Sequence, residues 1–188
     1  MAKLSWKPGT MIYPLPVVLV SCGSHPEQYN ILTIAWTGTI CTNPPMCYIS
    51  VRQERHSYQI IKSNMEFVIN LTTKNLLNAV DWCGVKSGKD FNKFIKTGLT
   101  PIPAQKVKAP LIAESPVNIE CVVKQIIPLG SHDMFVSEVI AVNADEKYFN
   151  NQTDFFNLEQ SELITYSHGK YYELGNQIGK FGFSVKKK

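Results

Sequence analysis

Gln28-Tyr-Asn-Ile-Leu-Thr-Ile-Ala-Trp-Thr-Gly-Thr-Ile-Cys-Thr-Asn-Pro-Pro-Met-Cys-Tyr-Ile-Ser-Val-Arg-Gln-Glu-Arg-His-Ser-Tyr-Gln-Ile-Ile-Lys62 is the stretch that decides the fold. Two runs rich in β-branched and aromatic residues flank Asn43-Pro44-Pro45. Asn-Pro starts a turn, and the second proline keeps Pro44 out of the helical region. The pattern predicts strands at Asn30–Thr37 and Met46–Arg52, lying side by side and joined by a loop that contains Gly38 and Cys41. Along the first, Ile31, Thr33 and Ala35 face one way and Leu32, Ile34 and Trp36 the other. Along the second, Cys47, Ile49 and Val51 oppose Met46, Tyr48, Ser50 and Arg52. The face carrying Ser50 and Arg52 is the more polar, and its end is expected to reach a ligand.

Polarity sets these strands apart. Thr33, Thr37, Thr39, Thr42, Ser50, Arg52, Arg55 and Ser57 lie in or beside runs that otherwise look buried. Small hydroxyls at strand ends hydrogen-bond a polar ligand without filling its space. Threonine is also simply a good strand former. Ser57 reads as the N-cap of a short helix over Tyr58–Ser63. A helix start presents unpaired N–H groups and partial positive charge, so with Arg52 and Arg55 nearby it forms a phosphate seat. The plainer reading is a capped helix with solvated arginines.

Working outward, Pro14–Ser21 reads as a first strand, closed by a turn at Cys22–Pro26. Met1–Thr10 is a polar lead-in arm with an odd Trp6. Glu66–Leu71 is a strand. Thr72 or Thr73 caps a helix over Lys74–Cys83, whose Leu76, Leu77, Val80 and Cys83 form an apolar stripe that Gly84 ends. Asp90 is expected to cap a turn in which Phe91 and Phe94 share a face. Lys86, Lys89 and Lys93 surround Ser87-Gly88. Pro101, Pro103, Pro110 and Pro116 exclude a long helix and mark a connecting segment. Val117–Ile127 alternates, Pro128–Gly130 turns the chain with His132 beside it, and Met134–Val142 returns. Leu163–Ser167 and Tyr171–Leu174 form another hairpin, offering Tyr166, His168, Tyr171 and Tyr172 to a cofactor, a partner or plain barrel packing. Asn150-Asn151-Gln152 reads as a loop, and the tail Lys180–Lys188 as mobile unless Phe181 and Phe183 dock on a neighbour.

A chain of 188 residues fits one domain with a sizeable core. Charged residues make up 18%, below the usual quarter, which points to burial in an oligomer or around a ligand. The net charge of +4 is modest, and no basic stripe or module signature marks a nucleic-acid binder. Five cysteines, with no C-x-x-C pair, argue against a disulfide framework and a zinc site. Val17–Val20 is too short to span a bilayer and Met1–Trp6 lacks a signal pattern, so a soluble, cytoplasmic protein without a membrane partner is expected. There is no G-x-S-x-G elbow and no G-x-G-x-x-G, so neither a serine hydrolase nor a Rossmann site is supported. The expected metal ligands and acid–base catalytic residues are none.

The ordered set Asn30–Trp36, Pro44-Pro45-Met46, Ile49–Arg52, Arg55–Ile61, Glu66–Asn70, Asp81–Phe94 and Gly130-Ser131-His132 resembles the flavin reductase-like family, particularly its flavoredoxin branch. The resemblance spans roughly Pro14 to Tyr172 and implies an FMN-binding split β-barrel, mainly β with short helices, in a homodimer. It implies a ring along the Thr33–Thr39 edge, with Thr33, Ala35, Trp36, Thr37, Gly38, Thr39, Ser50, Val51 and Tyr166 around it. Arg52, Ser57 and Tyr58 would seat the phosphate, with Lys89 and Lys93 on a loop closing over it. Reducing equivalents would come from NAD(P)H or from a reduced electron-transfer protein. A flavin-binding module without turnover is the non-enzymatic alternative.

Overall fold

Two residues, Ala35 and Trp36, carry the chain from one edge of a seven-stranded antiparallel sheet to the other, and that short step makes the sheet curl. The computed structural model describes residues 1–150, 152–153 and 155–185. In chain order the elements are β1 (Leu15–Pro16), β2 (Val18–Cys22), β3 (Asn30–Ile34), β4 (Thr37–Cys41), β5 (Met46–Val51), α1 (His56–Asn64), β6 (Glu66–Leu71) and α2 (Leu77–Val85). There follow α3 (Lys93–Thr97), β7 (Pro101–Ile102), β8 (Leu111–Ile112), β9 (Val117–Pro128), β10 (Asp133–Ala144), β11 (Phe149–Asn150), β12 (Phe155–Phe156), β13 (Ile164–Ser167) and β14 (Lys170–Glu173). The large sheet runs β3-β2-β6-β9-β10-β5-β4, and β1-β13-β14 form a small second sheet. The edges β3 and β4 are adjacent in sequence, and Ser50 N–H of β5 bonds Trp36 O at 2.9 Å, carrying the β4–β5 pairing back into the crossing. The result is the expected mainly β split barrel.

The curl encloses Val18, Val20, Leu32, Ile34, Ile49, Val51, Phe67, Ile69 and Phe135, with Tyr58 and Ile61 of α1 among them. Outside the curl, Val17, Leu19 and Ile31 pack under Leu76, Val80 and Cys83 and against Phe94 and Ile164. Strands β2 and β3 are therefore buried on both faces, which is why Val17–Val20 is an unbroken apolar run rather than an alternating one.

The expected pairing of Asn30–Thr37 with Met46–Arg52 is corrected. Strand β3 pairs with β2, in the register Leu19 to Thr33, whereas β4 is the partner of β5, in the register Thr37 to Ile49. Both halves of the run have high strand propensity, and the curl splits them between opposite edges. The Asn43-Pro44 turn lies between β4 and β5 as expected. Gly84 does not end the second helix but lies inside α2, which runs to Val85. An added Cβ at Gly84 would sit 3.4 Å from Thr33 Cβ, so glycine lets α2 lie close on β3. Asn92, not Asp90, caps α3, accepting from Ile95 N–H at 3.1 Å. Phe91 and Phe94 part company: Phe91 meets Trp82 edge-on at 5.5 Å, and Phe94 enters the outer core. Asn151 of the expected loop and Lys186–Lys188 of the expected tail lie outside the described residues.

The hairpins β9–β10 and β13–β14 form where the sequence places them. On β9 the second face is also buried. Glu120 is fully enclosed and accepts from the N–H groups of Gln105, Lys106 and Val107 and from Asn143 Nδ2, at 2.6–3.1 Å. The proline-rich segment is thus pinned to the barrel by one carboxylate. Burial opposes the charge on Glu120, but these bonds outweigh it and hold the group below the usual carboxylate range. Its stabilisation is therefore complete above the unfolded value of about 4.3 and is lost as pH falls below it. Glu120→Gln turns a donor toward N–H groups and is expected to cost about 1–3 kcal/mol in urea unfolding at pH 7, with the difference from wild type shrinking in acid.

Candidate functional site

Two adjoining hollows open where β3, β5, α1 and the β13–β14 hairpin meet. The first is a cleft of about 270 Å³. Its walls include Thr33, Ala35, Trp36, Ser50, Val51, Arg52 and Tyr166. Arg55, His132 and Tyr171 complete it. The β3–Trp36 step supplies one wall because the chain there leaves the sheet edge. Trp36 and His132 stack at 4.2 Å, tilted, at the side of the cleft. Tyr166 and Tyr171 meet edge-on at 5.8 Å, and the Tyr171 hydroxyl donates to Asp81 at 3.0 Å, tying the hairpin to α2. Burial and that carboxylate push Tyr171 up to about 12. Burial and then Arg52 pull His132 below its ordinary value, so it is neutral at pH 7.

Leu32 and Arg55 also wall the second hollow, of about 220 Å³, so the two spaces adjoin. It lies at the start of α1 and is lined by Asn30, Glu54, His56, Ser57, Lys86, Ser87, Gly88 and Lys93, so three cations face one carboxylate once Arg55 is included. The nine-residue α1 begins after Arg55, whose φ of −68° and ψ of 134° are extended. The first amides of a helix have no intrahelical acceptor. Lys93 is 3% exposed and its ammonium donates to Cys83 O at 2.7 Å. No carboxylate pairs with it among the described residues. Burial, against the Cys83 thiol and with Arg55, lowers its pKa. A buried cation with two spare donors, beside a helix start and two further cations, is a site for an anion.

Three expectations change here. Ser57 is not the N-cap; it sits within the first turn of α1, and its hydroxyl accepts from Asn30 Nδ2 at 2.7 Å. Tyr58 points into the barrel, where its hydroxyl donates to Asp133 at 2.5 Å and its ring meets Phe135 edge-on. The hydroxyl is thus spent on a buried carboxylate and does not reach the anion hollow. Thr37, Gly38 and Thr39 leave the cleft with β4: Thr37 donates to Tyr48 O at 2.6 Å, and Thr39 is exposed opposite Cys47. Lys89 lies outside the anion hollow, on the next groove. Arg55 and Tyr171, which the sequence offered without committing them to the flavin, both line the hollows, and Asn30 was not singled out at all. Arg55 carried a signal, since it precedes the helix start; Tyr171 and Asn30 are placed by long-range packing.

Gly88 holds the loop against Asn30, where an added Cβ would fall 2.3 Å from Oδ1. Gly88→Ala is therefore expected to displace the loop or break the Asn30–Ser57 bond and to cost about 1–3 kcal/mol, read by chemical denaturation.

Residues 10–175 match the model of the flavin reductase like domain. A protein of Pyrococcus abyssi is 30% identical over 167 residues, covering 86% of this chain and 95% of its own length. The solved flavoredoxin of Desulfovibrio vulgaris (Miyazaki F) superposes with a TM-score of 0.89 at 28% identity, covering 98% of this chain and 100% of that one. The flavoredoxin from Methanosarcina acetivorans gives a TM-score of 0.86 at 24% identity over 99% of this chain and 100% of its own, a likeness of fold.

Proposed function

This chain belongs to the flavin reductase-like family, and from that premise we propose that it is an FMN-binding oxidoreductase that takes reducing equivalents from NAD(P)H. The observation that carries the reading is the adjacency of the two hollows: a cleft with aromatic walls lies beside a hollow rich in cationic side chains at the start of α1, with Leu32 and Arg55 between them. A planar ring joined by a short chain to a phosphate has that shape and that charge. The donors present fit it. Lys93, Arg55 and the first amides of α1 would hold the phosphate, and Thr33, Ala35, Ser50 and Val51 would border the ring. FMN, when bound, supplies hydride and single-electron chemistry. The chain binds, orients and excludes water. Trp36, His132 and Tyr171 shape the mouth through which a reduced nicotinamide reaches the ring, and neutral His132 offers it a hydrogen bond without adding charge.

The purified protein is expected to be yellow, or to become so on addition of FMN, and to oxidise NADH or NADPH. A colourless protein that does not bind added FMN overturns the reading. The likeness to a flavoredoxin favours a second reading, an FMN protein reduced by an electron-transfer partner. Stopped-flow mixing separates the two: slow bleaching by both NADH and NADPH, with fast bleaching by a reduced ferredoxin, selects the second.

The active form is a homodimer. Trp6 at 77%, Ile12 at 85% and Ile178 at 99% exposure leave two arms with large apolar side chains uncovered, more than a monomer keeps in water. Light scattering is expected to return twice the 21.2 kDa chain mass. No helix among the described residues is long and apolar enough to cross a membrane.

A further inference from the structure

We propose that Asp133 is the positioning residue of the anion hollow: its carboxylate, which lines neither hollow, holds the turn Arg52–Arg55 and the first turn of α1 in the arrangement that seats a flavin phosphate. This rests on the flavin reading above. Asp133 is the first residue of β10 and is 4% exposed, and its register partner on β5 is Val51. At that point the chain leaves β5 and arches through two linked turns. Arg55 N–H bonds Arg52 O at 3.1 Å, and Tyr58 N–H bonds Arg55 O at 2.9 Å. The arch returns to the Asp133 carboxylate at two places. Gln53 Nε2 donates to Oδ1 at 3.0 Å and to Oδ2 at 3.2 Å, and the Tyr58 hydroxyl donates to Oδ2 at 2.5 Å. Arg55 and the amides of His56 and Ser57, the groups offered to an anion, lie between those two places.

Stability alone does not explain a carboxylate here. No lysine or arginine lies within salt-bridge distance of it among the described residues. A buried charge without a counter-ion costs more than an apolar group of similar size. Phe135, two residues on, already makes the apolar version of the contact, meeting the Tyr58 ring edge-on at 5.5 Å. What the carboxylate adds is direction, because its two oxygens fix where Gln53 and Tyr58 stand. Those bonds, Tyr58 first, hold Asp133 below the usual carboxylate range, so it is charged at pH 7. The other side of the arch is fixed separately. The Arg55 guanidinium donates to Gly84 O of α2 at 3.1 Å, and the Ser57 hydroxyl accepts from Asn30 Nδ2 of β3 at 2.7 Å. Release on the barrel side would let the helix start shift relative to Lys93, and about 1 Å is enough to spoil a charge-assisted bond.

The test is a set of fluorescence titrations of the full chain with FMN and with riboflavin, which lacks the phosphate. Wild type, Gln53→Ala, Asp133→Ala and Asp133→Asn are compared. Asp133→Ala is expected to weaken FMN about tenfold and Gln53→Ala about threefold, with riboflavin changed less than about twofold in both. Asp133→Asn keeps an acceptor oxygen for one partner and offers an N–H to the other, and is expected to return FMN to within about twofold of wild type. Equal weakening of FMN and riboflavin overturns the inference, because Asp133 then supports the cleft as a whole. So does an unchanged FMN affinity in Gln53→Ala and Asp133→Ala. Gln53 is exposed, so its variant is expected to fold, and it decides the matter alone where Asp133→Ala does not fold. In these outcomes wild type still binds FMN and the underlying reading stands; failure of wild type to bind either flavin removes both.

Discussion

Lys93→Met is expected to weaken FMN binding by about 30- to 5,000-fold while leaving the protein without ligand at least as stable as wild type. The two halves of that result have one cause. Lys93 is held almost entirely out of water, with Cys83 O as its hydrogen-bond partner and no carboxylate within salt-bridge distance among the described residues. Burying a charge without a counter-ion is costly, so the side chain stands against the stability of the empty protein. A phosphate removes that cost when it arrives. Truncating one partner of a buried charge pair typically loses about 2–5 kcal/mol of binding, which gives the range stated. Methionine has similar length, fills the space and takes the charge away. The lowered pKa of Lys93 adds a pH signature. Between that lowered folded value and the unfolded value of about 10.4, the unfolded chain binds the extra proton. The stability of the empty protein therefore rises with pH across this window, and FMN affinity falls as the ammonium is lost. Denaturation of the apoprotein at pH 7 and pH 9.5, set against the same pair for Lys93→Met, reads the effect; identical pH slopes would show that Lys93 carries no buried charge.

Much of this arrangement was legible in the residues, and the rest was hidden for physical reasons. Hairpins β9–β10 and β13–β14 were readable because a period of two meets turn residues at both ends. The wall residues Thr33, Ser50 and Arg52 were readable because polar groups in and beside strands stand out against β-branched neighbours, whereas Trp36 came only with the family resemblance. What escaped reading depends on distance along the chain. Ala35-Trp36 has the propensity of a strand interior, and only the meeting of sheet edges makes it a crossing. Ser57 has the chemistry of a cap, but Asn30, 27 residues away, claims its hydroxyl. Tyr58 lies beside a phosphate seat in sequence, yet Asp133, 75 residues away, draws it into the barrel. Local rules describe what a side chain can do, and packing against remote strands selects among those options.

The two arginines show the same selection and give the second large effect: Arg55→Leu is expected to weaken FMN about 10- to 100-fold, and Arg52→Leu less than about threefold. Sequence alone favours Arg52 as the phosphate ligand, since it ends a strand whose polar face points to the cleft. The turn between them reverses that order. Arg55 N–H bonds Arg52 O at 3.1 Å, so the chain folds back and the two side chains separate. Arg52 stays on the ring cleft, its guanidinium 3.5 Å from Glu54. Arg55 borders both hollows and donates to Gly84 O at 3.1 Å, which fixes it beside Lys93 and the start of α1. A guanidinium held there meets the phosphate directly, whereas one at Arg52 meets the ring or the incoming donor. Salt separates the roles further. Arg55 is exposed enough for its attraction to be screened within a Debye length of about 8 Å at physiological ionic strength, while Lys93 is not. Wild-type affinity for FMN is therefore expected to fall as NaCl rises from 50 to 500 mM, on the order of severalfold, and that slope should flatten in Arg55→Leu and persist in Arg52→Leu. A larger loss of affinity in Arg52→Leu than in Arg55→Leu would place the phosphate on the Arg52 side and reverse the direction in which the ligand lies.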